Sequence, residues 1–352
     1  MSRMVLAVLT FSLALTNGTP PVVAQEPATQ YVAFRFDDQH VIAVVKDSEM
    51  ADLGEKISPS AKPAAQYGFP YVDAGPARLA QVAAPIASAK RWIVDVAPGL
   101  RVEATAEQVV AGQPSCTEAL GVLLTIDPRQ QSAFAAQTSL YFVATPALDS
   151  ISTPTPGASK NIGLASNTLS PDQRQALETL LAGVLTRELP GVQKEAAPDI
   201  ARMAESTVNY HRSWARARRS VDAGLAKGRG RLTYDLQAFH LEPDAPPLYF
   251  VRAEWRVEGR VAFGAALWIR GGPTFAVVDQ DLSPARWVRM FEFQGDVGRA
   301  QYGLVLNVLD RNGDGWGEIL FAHGGYEGFG IQLLERTPTG WVPAGASYSY
   351  GC

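Results

Sequence analysis

The run Leu304-Val305-Leu306-Asn307-Val308-Leu309-Asp310-Arg311-Asn312-Gly313-Asp314-Gly315-Trp316-Gly317-Glu318-Ile319-Leu320-Phe321-Ala322 decides most of what can be read from this chain. Two short apolar runs, each bounded by turn chemistry, read as buried strands. Between them, residues 310–318 set oxygen-bearing side chains at every second position with glycines interleaved. That spacing suits a loop wrapped around a hard cation, for which calcium is the expected choice. Calcium takes six to eight oxygens from carboxylates, amides, backbone carbonyls and water. Asp310, Asn312 and Asp314 would supply side-chain oxygen, Trp316 its backbone carbonyl, and Glu318 a further carboxylate, directly or through water. Gly313 and Gly315 allow the positive φ that such a curl demands. Arg311 is expected to point outward.

The flanks exclude an EF-hand, which needs helices on both sides and a bidentate Glu at the twelfth loop position. Phe321 stands there instead. Strand, cation loop, strand resembles the FG-GAP/VCBS type of repeat, whose loops follow Asp-x-Asp/Asn-x-Asp-Gly-x-x-Asp/Glu. The resemblance covers residues 302–335 and implies ligand roles for Asp310, Asn312, Asp314 and Glu318. It occurs once, so it does not imply a propeller, which needs several blades. The alternative for the same residues is a plain hairpin built on Asn-Gly and Asp-Gly. A tight turn by itself does not need Asp310 and Glu318.

The following 322–330 stretch, Ala-His-Gly-Gly-Tyr-Glu-Gly-Phe-Gly, reads as a glycine-rich hairpin end. A ligand-contacting rim carrying His323, Tyr326 and Glu327 is the second reading.

Upstream of the loop the period is two. Tyr249, Val251, Ala253, Trp255 and Val257 alternate with Arg252, Glu254, Arg256 and Glu258, which predicts an antiparallel sheet with one wet face. Further strands are expected over 232–241, 261–269, 275–278, 287–293, 302–309, 319–322 and 331–334. A helix is punctuated ahead of them. Ser170 caps it, Pro171 opens it, Gln173 completes the capping box, and Leu177, Leu180, Leu181, Val184 and Leu185 form its apolar stripe. Pro190-Gly191 is expected to end it. The basic cluster Arg212, Arg216, Arg218 and Arg219 reads as a solvated helix face, with an anion-binding patch as the second reading.

Residues 146–169, rich in Pro, Ser and Thr, read as a linker. Before them, strands are expected over 31–36, 40–45, 92–96, 122–126 and 140–144, with a short helix capped at Thr105-Ala106-Glu107-Gln108. Residues 1–24 read as a secretory signal: Arg3, an apolar stretch over 4–15, and Val22-Val23-Ala24 before cleavage near Gln25. Cys116 and Cys352, the two cysteines of an exported chain, are expected to pair.

The expected fold class is α+β, mostly β. A smaller α+β or β N-terminal domain (25–146) and a linker (147–169) precede an antiparallel β domain with a packed helix and the calcium loop (170–352). The formal charge is −4, or about −5 without Arg3, which gives no reason to expect nucleic acid as partner. No segment is long and apolar enough to span a membrane as a helix. The four histidines make no metal-ligand spacing, and no nucleophile or phosphate-loop motif occurs. Acidic pairs such as Asp279 with Asp281 would suit a glycosidase, but their separation cannot be read from sequence. The expected role is a secreted or periplasmic binding or structural protein stabilised by one calcium ion, with an extracellular or envelope protein or a glycan as ligand. The alternative is a secreted, calcium-stabilised hydrolase.

Overall fold

The computed structural model describes residues 29–48, 71–112, 118–147, 162–272, 274–278, 303–324, 328–337 and 340–351. The expected signal segment, Cys116, Cys352, Asp279, Asp281, the expected strand over 287–293, and Tyr326 with Glu327 lie outside them. The protein is mostly β with antiparallel sheets, as the alternating patterns require.

Seven strands come first: β1 (Tyr31–Arg35), β2 (His40–Ser48), β3 (Tyr71–Asp73), β4 (Arg91–Ala97), β5 (Leu100–Gly112), β6 (Glu118–Ile126) and β7 (Tyr141–Pro146). Six of them form a closed antiparallel ring in the order β4-β5-β6-β2-β1-β7 and back to β4. β3 pairs with the last three residues of β5. Closure leaves the ring strands no free edge to manage. Its interior holds Trp92, Val94, Leu120, Leu124, Ile126 and Phe142. The short helix α3 (Gln131–Ala135), which follows helices α1 (Gly75–Leu79) and α2 (Ala84–Ser88), adds Phe134 to that interior. Arg35 holds α3 in place, donating to the carbonyls of Phe134 at 3.0 Å and Gln137 at 2.9 Å. The strands meet closely at Gly121, where a Cβ would lie 2.5 Å from Ile42 Cγ2. Residues 105–108, expected to start a helix, lie within β5. Ladder pairing with β6 on residues 104–112 outweighs a local capping box.

A four-stranded meander, β13 (Leu304–Leu309), β14 (Glu318–Gly324), β15 (Gly328–Thr337) and β16 (Gly340–Gly351), lies against the barrel. Its Leu320, Ala322, Ile331, Leu333 and Tyr348 pack on Val32, Val44 and Val143 of the barrel's outer surface. Its opposite face, Val305, Val308, Ile319, Phe321 and Leu334, packs on a third sheet. That sheet runs β12 (Ala276–Val277), β11 (Arg260–Arg270), β10 (Leu248–Val257), β9 (Arg231–His240) and β8 (Gly163–Leu164). The meander is therefore the middle layer. The unbroken apolar run Ile319-Leu320-Phe321-Ala322 is what a strand covered on both faces requires.

Helices α4 (Pro171–Glu205) and α5 (Asn209–Ala226) cover the outer face of the third sheet. Leu177, Leu181, Val184 and Leu185 pack on Tyr249, Val251, Ala253 and Leu267. Ser170 closes the expected capping box, accepting from the Gln173 amide at 3.2 Å while its own amide reaches Gln173 Oε1 at 3.0 Å. Pro190 and Gly191 do not end α4, which continues through Pro190 and Pro198. Each proline removes one helical hydrogen bond. The carbonyls it strands, at Thr186 and Lys194, belong to exposed residues that water can serve, while Met203 beyond them buries against Trp214 of α5. Arg212, Arg216 and Arg219 are exposed along α5. Arg218 is turned inward, donating to the Ala262 carbonyl and to Asp222.

The expected wet face of the third sheet is wet over only part of its length. Arg252, paired with Asp235, and Arg256, paired with Glu254, occupy the open end. At the other end Leu248, Phe250 and Trp268 pack on the meander. Among the described residues no helix is long and apolar enough to cross a membrane.

Candidate cation loop

The loop over 310–318 joins β13 to β14 at one end of the middle sheet. Leu309 and Glu318 pair across its neck. Gly313 and Gly315 take φ of 72° and 83°, the left-handed values that the expected curl demands of them.

The five expected ligands divide into two kinds. Asn312 and Asp314 are engaged within the loop. Asn312 Oδ1 accepts from the Asp314 amide at 3.1 Å, and Asp314 Oδ1 from the Trp316 amide at 2.8 Å. Asp314 Oδ2 accepts from Asn312 Nδ2 at 3.0 Å. These are side-chain turns that shape the backbone. Trp316 leaves its side chain at the surface, 37% exposed.

Asp310 and Glu318 are different. They are 3% and 2% exposed, and both oxygens of Asp310 and Oε1 of Glu318 have no hydrogen-bond partner. Glu318 Oε2 alone is used, accepting from the Arg311 amide at 2.9 Å. Burial raises the Asp310 carboxyl above its ordinary range, with the amides of Gly315 and Gly313 opposing the rise from outside hydrogen-bonding geometry. Burial pushes Glu318 up to about 7, against the opposing pull of the Arg311 amide and guanidinium. A buried oxygen left unmatched costs about 1–3 kcal/mol, and more when it is charged. Three such oxygens lie in one nine-residue loop, hard donors without a hydrogen-bond partner among the described residues.

The side chains do not converge into a finished shell. Among the described residues no three His, Cys, Asp or Glu side chains are grouped closely enough to hold a metal ion. Asp310 and Glu318 provide the unpartnered oxygens, and each Asp314 oxygen, accepting one hydrogen bond, keeps a second lone pair.

Arg311 is not directed outward. Its side chain is 10% exposed and its Nε lies 3.2 Å from Asp95 Oδ2 of β4. Arg101 of β5 meets the other Asp95 oxygen at 2.7 Å and donates to the Arg311 carbonyl at 2.7 Å. Asn307, just before the loop, donates to the carbonyls of Val96 and Tyr141 on the barrel. On the other side the Gly317 amide donates to the Leu241 carbonyl at 2.8 Å. A Cβ on Gly317 would lie 2.9 Å from Leu241 Cδ2 and 3.2 Å from Leu241 Cα, so a larger residue here would make its neighbours shift. The loop thus touches all three sheets. Asp95 had a signal of its own in the sequence, as one charge inside the apolar run Trp92-Ile93-Val94-Asp95-Val96. Its partners, more than two hundred residues away in the case of Arg311, had none.

Of the second candidate rim, His323 belongs to β14, where it pairs with Gly330. Among the described histidines His40 is held by Asp37, Nδ1 lying 2.8 Å from Oδ1, and its Nε2 lies 3.9 Å from Glu107.

Comparisons with known protein families, with curated proteins and with solved structures found no match. The class rests on the fold, a mostly β protein of the α+β type.

Proposed function

We propose that this chain is an exported binding or structural protein of the cell envelope or the outside medium, stiffened by one calcium ion held in the 310–318 loop. The observation that carries the reading is the pair Asp310 and Glu318, two almost fully buried carboxylates with three unpartnered oxygens. Calcium suits them because it is hard, takes only oxygen, and tolerates irregular geometry. When bound, it would supply the positive charge that offsets their burial. Asp310 and Glu318 would hold it first. Asp314, Asn312 and the Trp316 carbonyl would complete the shell with water. The role is structural because the loop is anchored to the barrel through Asp95 and to the third sheet through Leu241. An affinity of about 0.1–1 mM is enough for an extracellular module.

Thermal unfolding in calcium and in chelator tests this. At a calcium concentration about ten times the dissociation constant, the gain is about 1.4 kcal/mol, a rise of roughly 2–5 °C. Asp310→Asn/Glu318→Gln should lose that rise and, in chelator, melt higher than the parent because two buried charges are gone. Superimposable parent curves at about 10 mM calcium would overturn the reading, as would a calcium response that survives in the variant.

A further inference from the structure

Among the described residues the edge of the third sheet at β9 is open along most of its length. β8 pairs only with Phe239 and His240, and the Ala165 amide reaches the Ala238 carbonyl at 2.8 Å. That bond shows that Ala238 turns its backbone groups away from β10. Groups on alternate residues point to the same edge, so those of Leu236, Tyr234 and Leu232 also face outward. Among the described residues nothing pairs with them. A cleft of about 600 Å³ runs beside them, with Leu169, Leu232 and Leu236 in its wall and Arg174 and Glu178 of α4 at its rim. Proteins cover or blunt such an edge, because it is a template for another strand.

The residues on β9 are self-complementary. In Arg231-Leu232-Thr233-Tyr234-Asp235, Thr233 is flanked symmetrically by Leu232 and Tyr234, then by Arg231 and Asp235. We propose that β9 pairs antiparallel with β9 of a second copy of this chain about a two-fold axis at Thr233, joining the two five-stranded sheets into one of ten. In that register Leu232 and Tyr234 exchange backbone hydrogen bonds with Tyr234 and Leu232 of the second copy, and their side chains enter the cleft. Arg231 lies opposite Asp235 of the second copy, twice over, in the closely spaced type of pair where side chains meet. All three odd residues, Arg231, Thr233 and Asp235, are exposed on one face. Arg231 makes no ion pair or hydrogen bond among the described residues, whereas Asp235 already meets Arg252. The register also avoids the existing pairing. The second copy's strand begins at Arg231, opposite Asp235, two residues short of Gln237 and three short of Ala238, where Ala165 is bound. Gly228, with φ of 69°, turns the chain away there.

The test is sedimentation equilibrium on the exported full-length protein. A dimer is expected at about 100 μM that dissociates on dilution to about 1 μM. Arg231→Asp gives a strand with two acidic residues, and Asp235→Arg gives one with two basic residues. Each variant alone should weaken the dimer at least tenfold. Mixed in equal amounts, they should form a heterodimer as tight as the parent's dimer, because each Asp then faces an Arg. Melting curves confirm that both variants are folded, and Arg231→Asp breaks no side-chain hydrogen bond or ion pair among the described residues. A parent that stays monomeric at about 100 μM overturns the proposal, and points to a different occupant of the edge. A mixture that associates no better than its components overturns it too.

Discussion

Strands β14 and β9 sit one layer apart and have opposite fates. β14 is covered on both faces and paired along both edges, and its sequence is a continuous apolar run. β9 alternates, with Leu232, Tyr234 and Leu236 toward α4 and Arg231, Thr233 and Asp235 toward water, and among the described residues no strand pairs with its outer edge over 231–237. The difference shows where this protein's stability and its capacity for contact reside. The middle sheet carries the packing that joins the other two layers. The outer sheet has surface to spare.

Substitutions at corresponding places should sharpen the contrast. Phe321 packs edge-on to Phe250 with ring centroids 5.7 Å apart. Phe321→Ala should cost about 4 kcal/mol in chemical denaturation, against about 0.5 kcal/mol or less for Thr233→Ala on the wet face of β9. Equal losses at the two sites would contradict the layer order. Next in size is Asp95→Ala. It removes the partner that Arg101 and Arg311 share, both nearly buried, and should cost about 3 kcal/mol, with Glu335, 3.8 Å from Arg311, limiting the loss. The exposed ion pair of Arg252 with Asp235 offers nothing comparable.

No larger than the losses expected at Phe321 and Asp95 is a pH dependence confined to the loop. In chelator the folded Glu318 carboxyl titrates at about 7 against 4.5 when unfolded. The folded state therefore binds the extra proton between those values. This group's contribution is full below about pH 4.5 and is lost as pH rises through about 7, a change on the order of 3 kcal/mol. Asp310, also raised by burial, adds in the same direction. Glu318→Gln should flatten the slope in a series of melts from pH 4.5 to 7.5, and a slope unchanged by that substitution would count against a buried, protonatable Glu318. Calcium should reverse the trend, because its binding requires the carboxylates ionised.

Much of the loop was legible because its signals are local. The glycines at 313 and 315 carry the positive φ that their spacing implied, and Asp310 and Glu318 are the buried members of the alternation. The inward turn of Arg311 was not legible. Nothing within a few residues of it distinguishes a solvated arginine from one that finds Asp95 across the barrel interface. The overlong α4 shows the same limit. Pro190-Gly191 is a stop signal locally, and burial of Met203 against α5 overrode it.

The sequence by itself determined the antiparallel β character, the capped start and apolar stripe of α4, and the glycine-and-acid chemistry of the 310–318 loop. Each is encoded in spacings of two to seven residues, over which backbone geometry alone dictates which side chains share a face. Only the tertiary structure decided the closed barrel, the position of the meander between two other layers, the anchoring of the loop to Asp95 and Leu241, and the open edge of β9. Those depend on contacts between residues far apart in the chain, whose energies come from burial and pairing that no local pattern specifies.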